Sequence, residues 1–133
     1  MNNIVNYKVS LGINSYRIFI GKEILGSVKN FIPNYKNYSK IFIITDKNIF
    51  LKNSRLFEED LKKNFKFEKI ILPQGENTKS FKYLQFLVEK ILKFRLDRNA
   101  LLICIGGGVL GDLVALASSV ILRGIDFIQI PST

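Results

Sequence analysis

Four short runs of this chain are apolar almost without interruption: KIFIITD (40–46), EKIILP (68–73), ALLICI (100–105) and DFIQIP (126–131). A strand with one face in water alternates apolar and polar residues. One that does not alternate is covered on both faces, as in a parallel sheet sandwiched by helices. The segments between the runs have helical periodicity. Residues 48–64 read as an amphipathic, lysine-rich helix. Residues 79–95 read as a second, with Phe81, Leu84, Leu87, Val88, Ile91 and Leu92 on one face, and 109–122 as a third. The expected fold is α/β: a Rossmann-like parallel sheet with flanking helices.

The first part of the chain differs. NYKVSL and SYRIFIG flank GIN, which predicts an antiparallel β-hairpin with a glycine-containing turn, and 23–31 predicts a short helix ending near Pro33. No repeat, low-complexity tract or linker divides the sequence, so 1–133 is expected to be one domain.

Composition narrows the chemistry. At 133 residues the chain can bury a core without covalent staples. The single cysteine, Cys104, excludes a disulfide framework, suggests a reducing compartment, and lies in an apolar run where it is expected to pack inertly. There is no histidine, so the usual general base and the commonest metal ligand are both missing. The N-terminus lacks the basic start and apolar block of a signal peptide. The most apolar stretch, 109–122, is too short and carries Asp112, which argues against a membrane span. The net charge of +9 comes from lysines scattered between Lys8 and Lys93. That reads as compositional bias, so no nucleic-acid partner is expected. The positive field would still favour a phosphorylated or otherwise anionic ligand.

In open α/β sheets, ligands bind beyond the carboxyl ends of the strands. Those ends here are TDKN (45–48), PQGENTK (73–79), GGGVLGD (106–112) and PST (131–133). Gly106, Gly108 and Gly111 satisfy G-x-G-x-x-G between a predicted strand and a predicted helix, the arrangement that lets a backbone approach a pyrophosphate at a helix start. The alternative is a tight turn without a ligand. In a standard Rossmann domain the fingerprint follows the first strand and the ribose-binding acid ends the next one. Here the fingerprint comes late, and Asp126 begins its strand. Asp46 is therefore the better acid for ribose hydroxyls, or else the N-cap of the following helix. Gln74, Glu76 and Lys79 form a polar loop that suits a ribose or phosphate, or is a solvated turn. Asp112, among apolar neighbours, is expected to be buried and to bond a ligand hydroxyl or a loop backbone. Arg123 reads either as compensation of a helix C-terminus ahead of Gly124 or as a ligand contact.

IITDKN, ILPQGENTKS and GGGVLGDLVALASSVILRGIDFIQIPST, in this order and spacing, closely resemble the N-terminal domain of the 3-dehydroquinate synthases. The resemblance runs over essentially the whole chain, and the P-x-G-E-x-x-K-S and R-G-x-x-F-I-Q-x-P runs favour that branch over related sugar phosphate cyclases. It implies a cytoplasmic, NAD-dependent lyase of the shikimate pathway of aromatic amino acid biosynthesis. Such an enzyme converts 3-deoxy-D-arabino-heptulosonate 7-phosphate to 3-dehydroquinate and phosphate. By that resemblance Asp46 and Asn48 lie at the adenosine end. Gln74, Gly75, Glu76, Asn77, Thr78 and Lys79 surround ribose and nicotinamide. Gly107, Gly108, Val109, Leu110, Gly111 and Asp112 hold the pyrophosphate and neighbouring ribose, and Ser132 and Thr133 add hydroxyls. Arg123 reaches the substrate phosphate across a homodimer interface. The family's divalent metal, zinc or cobalt, is held by a Glu and two His of a helical domain with no counterpart here. The resemblance thus assigns no catalytic residue and no metal ligand to these residues. It implies a fragment, inactive by itself. The other readings are a non-catalytic NAD-binding or dimerisation module, the cofactor domain of a sister cyclase, and a decayed remnant.

Overall fold

The computed structural model describes residues 3–132. Two sheets form: an antiparallel hairpin of β1 (Val5–Val9) and β2 (Tyr16–Ile20), and a parallel sheet of β3 (Lys40–Asp46), β4 (Glu68–Leu72), β5 (Ala100–Gly106) and β6 (Asp126–Pro131) in the order β4-β3-β5-β6. The uninterrupted apolar character of the runs has the expected cause. Phe42 and Ile44 of β3, with Leu102 and Cys104 of β5, face α2 (Phe81–Leu92) and α3 (Gly108–Val120). Ile41, Ile43, Leu101, Ile103 and Ile105 face the other way, onto Val28, Ile32, Phe57 and Leu61. Every residue of β5 is buried. The result is three layers, with the sheet in the middle.

All four predicted helices differ from expectation. The helix predicted over 48–64 is broken into α1 (Lys47–Lys52), a π-helical stretch Leu56–Asp60 and a 3-10 turn Leu61–Lys63. Asn53 ends α1: its side-chain amide donates to the Ile49 carbonyl at 2.9 Å, competing with helix continuation. The helix predicted over 79–95 is shortened to Phe81–Leu92. Ser80 caps it by accepting from the Tyr83 amide, and Arg95 turns left-handed (φ 51) after it. The segment predicted as helix over 23–31 is a 3-10 stretch, Ile24–Phe31, kinked at Ser27.

The third predicted helix ends at Val120 instead of running to residue 122, because Leu122 and Arg123 both adopt left-handed backbone (φ 48 and 66). Each such non-glycine residue costs about 1–2 kcal/mol. Two backbone bonds hold the corner: the Gly124 amide donates to Ile121 at 2.8 Å, and the Ile125 amide to Ser118 at 2.9 Å.

The hairpin keeps an apolar face in solvent. Tyr7 pairs with Ile18 and Val5 with Ile20, and all four are at least two-fifths exposed.

Candidate functional site

Strand order decides where the site lies. Successive strands step from β3 out to β4, then cross back over β3 to β5 and on to β6. The direction of winding reverses between β3 and β5, and in open parallel sheets the crevice at that reversal is where ligands bind. The glycine turn comes late in the chain, yet β5 lies directly beside β3. Asp46 and the glycine turn therefore sit at the ends of neighbouring strands. Below them the buried Thr45 hydroxyl donates to the Ile105 carbonyl at 2.8 Å, tying the two strand ends together.

The three glycines of the motif have three different surroundings. A Cβ on Gly106 would lie 2.5 Å from Leu110 Cδ2, so this glycine lets α3 fold back onto its own strand. A Cβ on Gly111 would strike the Gln129 side-chain amide, with Cδ at 2.9 Å, so this one admits close packing against β6. A Cβ on Gly108 would meet no heavy atom within 4 Å. Nothing in the fold requires the missing side chain there. Gly108 is exposed, and it opens α3 behind Gly107, an N-cap with no side-chain hydrogen bond. The amides of Gly108, Val109 and Leu110 have no i−4 carbonyl inside the helix, whereas the Gly111 amide donates to Gly107 at 3.0 Å. Leu110 is buried, so its amide and not its side chain is what it offers a ligand.

The neighbouring loops are joined to this turn by side chains. Asn48 donates to Gln74 Oε1 at 2.7 Å, connecting the loops after β3 and β4. Lys79 donates to Asp112 Oδ2 at 3.0 Å, connecting the loop after β4 to the first turns of α3. That bond, and the negative charge behind it, hold the Lys79 ammonium above its ordinary pKa. The expectation that Asp112 is buried is corrected: its side chain is 65% exposed. Helical phase explains this, because Asp112 lies four residues beyond Gly108 on the open face, while Leu113 and Val114 turn inward.

Asp46 caps α1, accepting from the Ile49 amide at 2.9 Å through Oδ1. Gly75 takes a backbone conformation open only to glycine (φ 114, ψ 170). From there the turn Glu76–Thr78 packs against α3. Thr78 is buried in this turn, its hydroxyl donating to the Gly75 carbonyl at 2.7 Å. Glu76 and Asn77 are exposed beside it. The Ser132 amide donates to the Gly106 carbonyl at 3.0 Å, which places Ser132 at the glycine turn, while Thr133 lies outside the described residues.

Arg123 is not brought to this cluster. It stands at the opposite end of α3, about 20 Å away by helix rise. Sequence reading missed Gln129, whose amide fills the notch left by Gly111. Its polarity within an apolar strand was the available signal. Among the described residues no group of three His, Cys, Asp or Glu side chains could hold a metal ion, and no helix is long and apolar enough to cross a membrane.

Fold and loops together define a Rossmann-like α/β domain with a glycine turn and an uncapped helix start at its winding reversal. The chain belongs to the family of 3-dehydroquinate synthase N-terminal domains: residues 69–133 match the family model described as "3-dehydroquinate synthase N-terminal". It is 41% identical over 126 residues to the 3-dehydroquinate synthase of Clostridium botulinum, covering 94% of this chain and 36% of that protein. It is 40% identical over 126 residues to that of Rhodospirillum rubrum, covering 94% and 33%. The chain thus spans about a third of the length of these curated relatives. Among solved structures, 2-deoxy-scyllo-inosose synthase complexed with carbaglucose-6-phosphate, NAD+ and Co2+ superimposes with a TM-score of 0.83 at 20% identity, covering 96% of this chain and 35% of that one. The 2-epi-5-epi-valiolone synthase of Streptomyces hygroscopicus, with NAD+ and Zn2+ bound, gives 0.67 at 23%, covering 80% and 30%. At these identities the likeness is one of fold.

Proposed function

We propose that these residues form the NAD-binding part of a 3-dehydroquinate synthase, cytoplasmic and dimeric when complete. The observation that carries this is Gly108: it has no Cβ, faces open space, begins an uncapped helix, and lies at the winding reversal of the sheet. A glycine that the fold requires has a positive-φ backbone, as Gly75 does, or a neighbour that excludes a side chain, as Gly106 and Gly111 do. Gly108 has neither, and the space it leaves suits a closely approaching phosphate.

In this reading the cofactor, when bound, accepts and returns a hydride, so that a sugar acid phosphate can lose its phosphate and recyclise. The chain's own residues do the placing. Amides of Gly108, Val109 and Leu110 donate to the pyrophosphate. Asp46, fixed through Oδ1 by its cap, accepts from ribose hydroxyls together with Asn48. Gln74, Gly75, Glu76, Asn77 and Thr78 shape the wall toward the second ribose, and Asp112, with Lys79 attached, accepts from its hydroxyl. Ser132 adds a donor beside the glycine turn, and Thr133 is assigned a second hydroxyl. Among the described residues no set of side chains fits a divalent metal. Arg123, remote from its own loops, is assigned to a substrate phosphate in a partner copy.

Isothermal titration of NAD+ into the full-length gene product tests the cofactor assignment. Saturable binding displaced by pyrophosphate is expected, and no heat at millimolar NAD+ would overturn it. Phosphate release from 3-deoxy-D-arabino-heptulosonate 7-phosphate by that product tests the reaction.

A further inference from the structure

We infer that Lys79 acts on the cofactor site through Asp112: it is a positioning and charge-neutralising residue whose partner is the carboxylate, not the ligand's phosphates. This rests on the reading of the glycine turn as a pyrophosphate site. Gly108 and Asp112 are four residues apart on α3, so they share a face one helical turn apart, about 6 Å along the axis. That face is open at both positions. A pyrophosphate lying over the bare Cα of Gly108 therefore meets a carboxylate roughly one turn away. The uncapped amides attract the anion, whereas a lone Asp112 at that distance repels it. The Lys79 ammonium, 3.0 Å from Oδ2, cancels that charge and fixes the rotamer. It does so from a loop whose shape is set independently by Gly75 and by the buried Thr78. Lys79 is thereby held beside the carboxylate, donating to Oδ2.

The inference predicts a particular non-additivity, measured on the full-length protein by titration with NAD+ and separately with inorganic pyrophosphate at low and high salt. Lys79→Met weakens pyrophosphate binding about tenfold at low salt and less at high salt, because it exposes the Asp112 charge. Asp112→Asn leaves pyrophosphate affinity unchanged or raises it, while weakening NAD+ through the lost ribose contact. In the double variant the charge that Lys79 balanced is gone and the pair is neutral again, so pyrophosphate affinity returns to within about twofold of wild type. A double variant as weak as Lys79→Met would overturn the inference, because Lys79 would then contact the anion itself. Both side chains are more than half exposed, so the variants should fold. The charge-swapped pair, Lys79→Asp with Asp112→Lys, gives a second test: it should bind pyrophosphate better than Lys79→Asp alone, and failure to do so counts against the inference. Wild-type protein that binds neither probe overturns the pyrophosphate reading and the inference with it. Wild-type binding without recovery in the double variant overturns the inference alone.

Discussion

Replacing Gly108 with alanine should separate the fold's needs from the ligand's. Gly108 opens α3, its φ lies outside the left-handed region, and the added methyl would touch no heavy atom within 4 Å. Folding should therefore tolerate the change and gain slightly, because alanine restricts the unfolded chain. Such replacements stabilise by about 0.4–1 kcal/mol where the backbone is compatible. Half a kcal/mol in a chain of this size raises Tm by about 2 °C. Binding should respond in the opposite direction. The methyl occupies the space through which a phosphate oxygen reaches the α3 amides, and losing one charge-assisted hydrogen bond costs about 1.5–3 kcal/mol. That is at least a tenfold rise in Kd for NAD+. Gly106→Ala is the control: its Cβ would press on Leu110 Cδ2 at 2.5 Å, and overpacking of this kind costs about 1–3 kcal/mol of stability. The assay pairs thermal melts with NAD+ titrations on all three proteins. A Gly108→Ala variant that melts as expected and binds NAD+ within twofold of wild type would refute the assignment of that space to a ligand.

Three other outcomes are expected. Asp46→Ala should lose the α1 cap and about 1 kcal/mol, Asp46→Asn should keep the cap, and both should weaken NAD+ binding, as melts and titration would report. Burial, with the Asp46 charge nearby, pushes the Cys104 thiol from 9.0 up to about 12; burial and the hydrogen bond it donates to Asp126 likewise raise the Tyr38 phenol above 10.0. The unfolded chain then ionises first, so stability from these groups is complete below about pH 9 and falls between pH 9 and 12, as urea midpoints at stepped pH would show. Finally, Tyr7→Lys with Ile18→Glu places opposite charges across the hairpin on its exposed apolar face, and should lower self-association in sedimentation without lowering Tm.

The four parallel strands were legible almost to the residue, most clearly β3 and β5, where burial on both faces keeps the run apolar. The glycine turn was legible because its spacing answers to backbone geometry. The break in the 48–64 segment was not, since it depends on Asn53 turning its amide onto Ile49, a choice that apolar periodicity does not record. Asp112 was misplaced for a related reason: hydrophobic neighbours in sequence are not neighbours on a helix, and its phase puts it beside Gly108 instead of Leu113. The adjacency of β3 and β5, which makes sense of a late fingerprint, is a fact of strand order with no signature in either run.

Strand order also has a consequence during synthesis. β3 is central, with β4 on one side and β5 on the other, and about fifty residues separate the end of β3 from the start of β5. At typical translation rates of about 5–20 residues per second, one edge of a strand that is apolar from Ile41 to Ile44 stays unpaired on the ribosome for several seconds. Over that interval Ile41 to Ile44 are accessible to any chaperone that reads extended hydrophobic segments, and the nascent chain is most vulnerable before the glycine turn has emerged.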